Sequence, residues 1–195
     1  SDLRNVLTGT PVLPLQRIIE IMAQVCGALS ASHAQGVVHR DVKPDNIFIV
    51  PPQDDEGKQR ERIKVCDFGI AEIQGGRPKG ATDQRFLASG TPDYMSPEQA
   101  RADEPDARAD IYSCGVILYE MATGRVPFAD VETPAEIIQA HVSTEPPLPS
   151  ALNPGIDKRL EAAIRKAMHK DRSKRFQSAR DLRTELLAIL GSNRP

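Results

Sequence analysis

The sequence has no large excess of one charge, no paired cysteines and no long apolar run. Its 25 basic and 27 acidic residues give a net charge of −2, which excludes a strong electrostatic affinity for nucleic acid or an anionic membrane. Cys26, Cys66 and Cys114 lie far apart without a C-x-x-C pair, so they are predicted to be reduced, mostly buried thiols of a cytoplasmic protein. No stretch is long enough to span a membrane and no signal peptide opens the sequence, so any membrane anchor is expected outside these residues.

Four short motifs stand in a fixed order between positions 39 and 98. The first is His39–Asn46, which reads H-R-D-V-K-P-D-N. It is followed by Asp67-Phe68-Gly69, then by Gly90-Thr91-Pro92, and then by Ser96-Pro97-Glu98. One such tripeptide can occur by chance, but the ordered set indicates a common origin with a known catalytic domain.

This set resembles the catalytic loop, metal-binding motif and activation segment of the serine/threonine protein kinases. Residues 94–101 and 110–115 are especially similar to bacterial members. The resemblance implies a mainly α fold, the C-terminal lobe of a kinase domain, in which a small β-hairpin carries the catalytic and metal-binding loops. Because the sequence contains no G-x-G-x-x-G and no V-A-I-K-like segment, the N-terminal lobe is expected to be absent from it. Residues 1–195 are assigned to this one domain, with a surface loop insertion at 51–62 and the activation segment at 67–98.

Apolar spacing and capping residues predict where the helices and strands lie. The predicted strands cover 47–50 and 63–66, on either side of the insertion. The predicted helices run from a cap at 1–2 to about 9, from 15 to a stop at 36, and over 110–123, 133–142, 157–169 and 178–190.

The resemblance implies that the protein uses ATP with Mg²⁺ (or Mn²⁺) to phosphorylate serine or threonine hydroxyls of protein substrates. Asp41 would accept or orient the proton of the hydroxyl, and Lys43 would offset charge on the transferred phosphoryl group. Thr91 would contact both. Asn46 and Asp67 would supply oxygen ligands to the metal, which suits a hard cation.

Two further residues belong to the expected nucleotide and substrate side of the site. Phe48 stands where an apolar residue forms the floor beneath adenine. Asp45 completes the catalytic-loop motif, and either faces the substrate peptide, which would favour basic substrates, or is a solvated surface residue.

Arg40 implies regulation through the activation segment, because in relatives this arginine binds a phosphate on that segment. Thr82 and Ser89 are the candidate phosphorylation sites.

Five residues have expected structural roles. Glu98 would form a buried ion pair with Arg175, Asp110 would hold the catalytic-loop backbone, and His39 would pack with Phe68. The other histidines, at positions 33, 141 and 169, have no partners at metal-ligand spacing and are predicted to lie on the surface or at helix caps.

Three interpretations compete. The first is a kinase, and the second is a non-catalytic scaffold or pseudokinase that binds partners through the helix at 133–142 and the activation segment. Asp41, Asn46 and Asp67 are all present, which favours the enzyme. The third, an unrelated helical binding domain, requires the motifs to be accidental. The 195-residue chain alone is expected to bind ATP–Mg²⁺ weakly, to lack appreciable activity and to self-associate through an apolar face around Phe48 and Phe68.

Overall fold

The computed structural model describes residues 1–51, 61–68 and 92–191. Within these ranges it contains eight α-helices and one two-stranded antiparallel hairpin. Short 3-10 turns cover Pro44–Asn46, Pro92–Tyr94 and Arg172–Lys174. The elements in chain order are α1 (Leu3–Gly9), α2 (Leu15–His33), β1 (Ile47–Val50), β2 (Arg62–Val65), α3 (Pro97–Ala100), α4 (Ala107–Thr123), α5 (Pro134–Ser143), α6 (Pro149–Leu152), α7 (Lys158–Ala167) and α8 (Ala179–Gly191).

The core lies around α4, which is buried on nearly every side. Fourteen of its residues, from Ala109 to Ala122, are buried, as expected for a central helix that has apolar residues all round. Helix α4 packs on α2 and α7, and α2 packs in turn along α8. The helix begins at Ala107, three residues before the predicted start, because Asp106 caps it by accepting a hydrogen bond from the Arg108 amide.

Most predicted helices are confirmed to within a few residues. The Asp2 carboxylate caps α1 by accepting from the Asn5 amide, and Thr133 and Glu136 form the predicted capping box of α5. Helices α3 and α6 were not predicted. Each has only four residues, which is too short for an apolar period to show.

The hairpin places the loop before β1 beside the loop after β2. Strand β1 pairs with β2 in a register that sets Ile47 opposite Val65 and Val50 opposite Arg62. Beyond the paired residues, the Cys66 amide donates to the Asn46 carbonyl at 2.9 Å. The segment before β1, which ends at Asn46, and the segment after β2, which begins at Cys66, therefore lie at the same end of the hairpin.

The start of β2 also corrects one boundary of the predicted insertion. Strand β2 starts at Arg62, so that residue belongs to the hairpin rather than to the loop predicted over 51–62. Positions 52–60 of that loop lie outside the described residues. In the parts of the chain that the structure describes, no helix is both long enough and apolar enough to cross a bilayer.

The packing of α4 against the end of α7 leaves no room for a side chain at Gly115. A β-carbon added there would lie 2.7 Å from Met168 Cγ and 2.9 Å from Ala167 Cβ. We expect Gly115→Ala to lower the free energy of unfolding by about 1–3 kcal/mol through overpacking. Gly27→Ala in α2 is the matched control, since the nearest atom to its added β-carbon is Arg183 Nε at 3.8 Å. That change should stabilise the helix by about 0.5–1 kcal/mol. Urea denaturation of both variants measures the difference, and equal midpoints would contradict this packing.

The three cysteines differ in exposure, which predicts their order of alkylation. Cys26 in α2 and Cys114 in α4 are 0% and 1% exposed, whereas Cys66 after β2 is partly exposed. A hydrogen bond with Cys26, together with burial, raises the pKa of the Cys114 thiol, which further lowers its reactivity. Iodoacetamide treatment of the folded protein, followed by peptide mapping, should label Cys66 first. Labelling of Cys26 or Cys114 at the same rate would refute this, and the urea-unfolded protein, in which all three should react, is the control.

Candidate active site

The catalytic-loop motif at residues 39–46 is held in place by one buried carboxylate. Asp110, near the start of α4, is 1% exposed. Its Oδ2 accepts hydrogen bonds from the His39 amide at 2.9 Å and from His33 Nε2 at 2.7 Å, and its Oδ1 accepts from the Arg40 amide at 2.8 Å. A buried carboxylate with three donors is well satisfied, and it fixes two successive amides of the loop.

The prediction that His33 lies on the surface or at a cap is wrong. Its side chain is only 11% exposed and is bonded to Asp110 across 77 positions of sequence. The same prediction is wrong for His141, which is fully buried and hydrogen-bonded to the Tyr112 hydroxyl at 2.9 Å. Burial, and then the charge of Lys170, lowers the pKa of His141 to about 3, so this ring stays neutral. His169 does act at a turn, since its Nδ1 accepts from the Asp171 amide.

His39 connects the catalytic loop with the segment that follows β2. Its Nε2 lies 2.8 Å from the carbonyl oxygen of Cys66, and its Nδ1 accepts from the Asp41 amide at 3.3 Å. These partners require the tautomer with hydrogen on Nε2, because a carbonyl can only accept. The His39 ring also contacts the Phe68 ring, with centroids 4.6 Å apart. The two motifs at 39–46 and 67–69 are therefore joined through one side chain.

Two polar side chains of the loop, those of Lys43 and Asn46, contact Asp41. Its Oδ2 lies 2.8 Å from Lys43 Nζ and accepts from Asn46 Nδ2 at 3.2 Å. Asn46 Nδ2 also donates to the Asp41 carbonyl oxygen at 2.8 Å. The Asp41 side chain remains 41% exposed, so the oriented carboxylate is still accessible from solvent.

Asp67 stands next to this group at the end of the hairpin. It is exposed and has a positive φ of 59°, a left-handed conformation that is unusual for a residue other than glycine. Asn46 is 6% exposed and uses its amide nitrogen on Asp41, so its side-chain oxygen is the atom that remains for a cation. A carboxylate and an amide oxygen, brought together by the hairpin, fit the hard oxygen ligands that Mg²⁺ prefers.

Asp45 belongs to a polar network that the sequence did not predict. Arg4 of α1 donates to the Glu120 carboxylate at 2.7 Å and to the Tyr94 hydroxyl at 2.6 Å, and reaches Asp45 at 3.4 Å. Burial, and then the Glu120 carboxylate, raise the pKa of Tyr94 well above its ordinary value, so the hydroxyl stays protonated and donates to Glu120. This network links α1, the catalytic loop, residues 92–94 and α4.

Glu98 and Arg175 form a bidentate, buried ion pair. The two N–O distances are 2.7 and 2.8 Å, and the residues are 4% and 2% exposed. Arg175 also donates to the backbone carbonyls of His169, Arg108 and Lys170, so its donors are satisfied. Such a pair is costly to break, because either partner alone would be a buried, uncompensated charge.

The remaining predicted site residues are placed as follows. Phe48 is 40% exposed on β1, with its neighbours Ile47 and Ile49 buried. The Arg40 guanidinium lies 3.2 Å from the Glu104 carboxylate. Thr82, Ser89 and Thr91 lie outside the described residues, so the regulatory and catalytic roles given to them stay predictions.

Comparison with known proteins identifies the family of this chain. Residues 1–187 match the family model described as "Protein kinase domain". "Serine/threonine-protein kinase PknB" of Mycobacterium leprae is 38% identical over 195 residues, which are 100% of this chain and 30% of that protein. "Serine/threonine-protein kinase Pkn1" of Myxococcus xanthus is 39% identical over 185 residues, which are 95% of this chain and 26% of that protein.

A solved structure shows the same fold. The PknI kinase domain of Mycobacterium tuberculosis superposes with a TM-score of 0.67 at 25% identity, and the match covers 96% of this chain and 61% of that one. The chain therefore spans under a third of the curated relatives it matches, and about three fifths of the solved domain. With this sequence match, the shared fold and the ordered motifs, the chain belongs to the protein kinase family, among the bacterial serine/threonine kinases.

Proposed function

We propose that this chain carries the phosphoryl-transfer loop of a protein kinase that moves the γ-phosphate of ATP to serine or threonine hydroxyls. One observation supports this most strongly: the accessible carboxylate of Asp41 is held by Lys43 and Asn46, beside the loop that carries Asp67. Phosphoryl transfer depends mainly on positioning and on charge stabilisation, and this arrangement supplies both.

Asp41 orients the hydroxyl that attacks. Both of its side-chain contacts among the described residues use Oδ2, so Oδ1 is the oxygen left to receive a proton from the substrate. The Lys43 ammonium beside it offsets the negative charge of the carboxylate and can turn toward negative charge on the transferred group. Lys43 thus contacts Asp41 before the transfer and stabilises the charge of the phosphoryl group during the transfer.

Asn46 and Asp67 are the residues that would hold the metal. Mg²⁺ bound to the triphosphate neutralises charge that builds up on the phosphate oxygens. The amide of Cys66, the residue before Asp67, donates to the Asn46 carbonyl at 2.9 Å, which supports placing the two proposed ligands near each other. Phe48, on the adjacent strand, supplies apolar surface for a nucleotide base.

By resemblance to the family, Arg40 would bind a phosphate group on Thr82 or Ser89. Its guanidinium lies 3.2 Å from the Glu104 carboxylate, and this contact with an anion supports the proposal. The glycine-rich loop and strand lysine that complete kinase sites do not occur in this sequence. The 195-residue chain alone is therefore expected to transfer phosphate poorly, and activity is best measured on the full-length protein.

Asp41→Asn tests the proposed function directly. The amide keeps the size of the side chain but cannot accept the hydroxyl proton, so kcat should fall by roughly 10²- to 10⁴-fold. Transfer of labelled γ-phosphate to a serine-containing protein substrate by the full-length protein measures this. The melting temperature should be nearly unchanged, because Asp41 is half exposed.

Asp103→Asn is the matched control, since it makes the same chemical change at an exposed residue between α3 and α4. Its activity should equal that of the wild type. Full activity of Asp41→Asn would overturn the assignment of the base, and an inactive wild type would favour the non-catalytic scaffold instead.

A further inference from the structure

We propose that Gln99, in α3, is a positioning residue for Asp41, and this rests on the proposed function. Gln99 Nε2 donates to the carbonyl oxygen of Arg40 at 2.7 Å. That carbonyl belongs to the same planar peptide group as the Asp41 amide. The amide in turn donates to His39 Nδ1 at 3.3 Å. Both polar atoms of the peptide group that leads into Asp41 therefore have side-chain partners.

The backbone at this point needs support from outside the loop. Arg40 has a φ of 66°, a left-handed conformation that L-residues with a side chain rarely adopt. Asp110 holds the amides of His39 and Arg40, which precede the unusual torsion. Gln99 holds the carbonyl that follows it. The two contacts act on opposite sides of Arg40, so together they set the direction in which the chain continues to Asp41.

Gln99 can bear this role because its own amide is fixed. Its Oε1 accepts from the Ser96 hydroxyl at 2.9 Å and from the Ser96 amide at 3.1 Å, which turns Nε2 toward the catalytic loop. The neighbouring residue, Glu98, is locked to Arg175 by the buried ion pair. Helix α3 is therefore held in place by these contacts. A displacement of α3 would move the peptide group before Asp41 through the hydrogen bond from Gln99 to the Arg40 carbonyl.

The test is Gln99→Glu in the full-length protein. This substitution keeps the side-chain length and the oxygen that accepts from Ser96, but it replaces the donor by a carboxylate oxygen facing a carbonyl oxygen. Repulsion should displace the peptide group before Asp41 and lower kcat by roughly 10- to 100-fold. The KM values for ATP and for the protein substrate should stay within about twofold, because the Gln99 side chain is hydrogen-bonded to Arg40 and Ser96, and neither is proposed to bind nucleotide or substrate.

Gln24→Glu is the matched control. Gln24 Nε2 also donates to a backbone carbonyl, that of Glu61 at 3.0 Å, at the end of the hairpin away from the catalytic loop. The same repulsion there should lower the melting temperature while leaving kcat unchanged. If kcat falls in proportion to the loss of melting temperature in both variants, Gln99 has a structural role only and the proposal is overturned.

Hydrogen exchange at the Asp41 amide gives a second readout that does not need activity. Exchange of this amide should be at least about tenfold faster in Gln99→Glu than in the wild type, because its peptide group is no longer held. Unchanged exchange would overturn the positioning role. If the amide exchanges faster in Gln99→Glu while the wild type transfers no phosphate, the positioning role is supported and the kinase function is rejected separately.

Discussion

The hydrogen bonds of Asp110 are the constraint on which the site depends. One buried carboxylate accepts from His33, from the His39 amide and from the Arg40 amide. Because Asp110 lies in α4, the most buried helix, the catalytic loop is fixed to the rigid centre of the domain rather than to its surface. An exposed loop with a left-handed residue at Arg40 would otherwise sample other backbone torsions.

A second attachment comes from the segment after residue 91. The buried pair of Glu98 and Arg175 fixes α3, and Gln99 extends from it to the catalytic loop. Arg4, Tyr94 and Glu120 fix the adjoining 3-10 turn to α1 and α4. Residues 92–94 and the catalytic-loop motif at 39–46 are thus both attached to α4.

The sequence predicted the helices, the Asp110 contacts with the loop and the Glu98–Arg175 pair, but not the other attachments. Asp41, Asn46 and Asp67 stand in recognisable motifs, and the spacing of apolar residues located α2, α4 and α8. His33, Gln99 and Glu120 were missed, because their partners lie far away along the chain and no periodic pattern marks a single long-range hydrogen bond. His33 and Asp110 are 77 positions apart, and Gln99 and Arg40 are 59 apart. Burial of His141 was missed for the same reason, since its partner Tyr112 belongs to another helix.

The central claim is that the Asp110 carboxylate holds the catalytic loop in the conformation that presents Asp41. Hydrogen exchange at the amides of His39 and Arg40, compared between the wild type and Asp110→Asn, tests this most directly. We expect slow exchange of both amides in the wild type. In the variant, exchange should be at least about tenfold faster, because each hydrogen bond to the carboxylate is worth roughly 1.5–3 kcal/mol. Rapid exchange in the wild type, or no change in the variant, would contradict this role of Asp110.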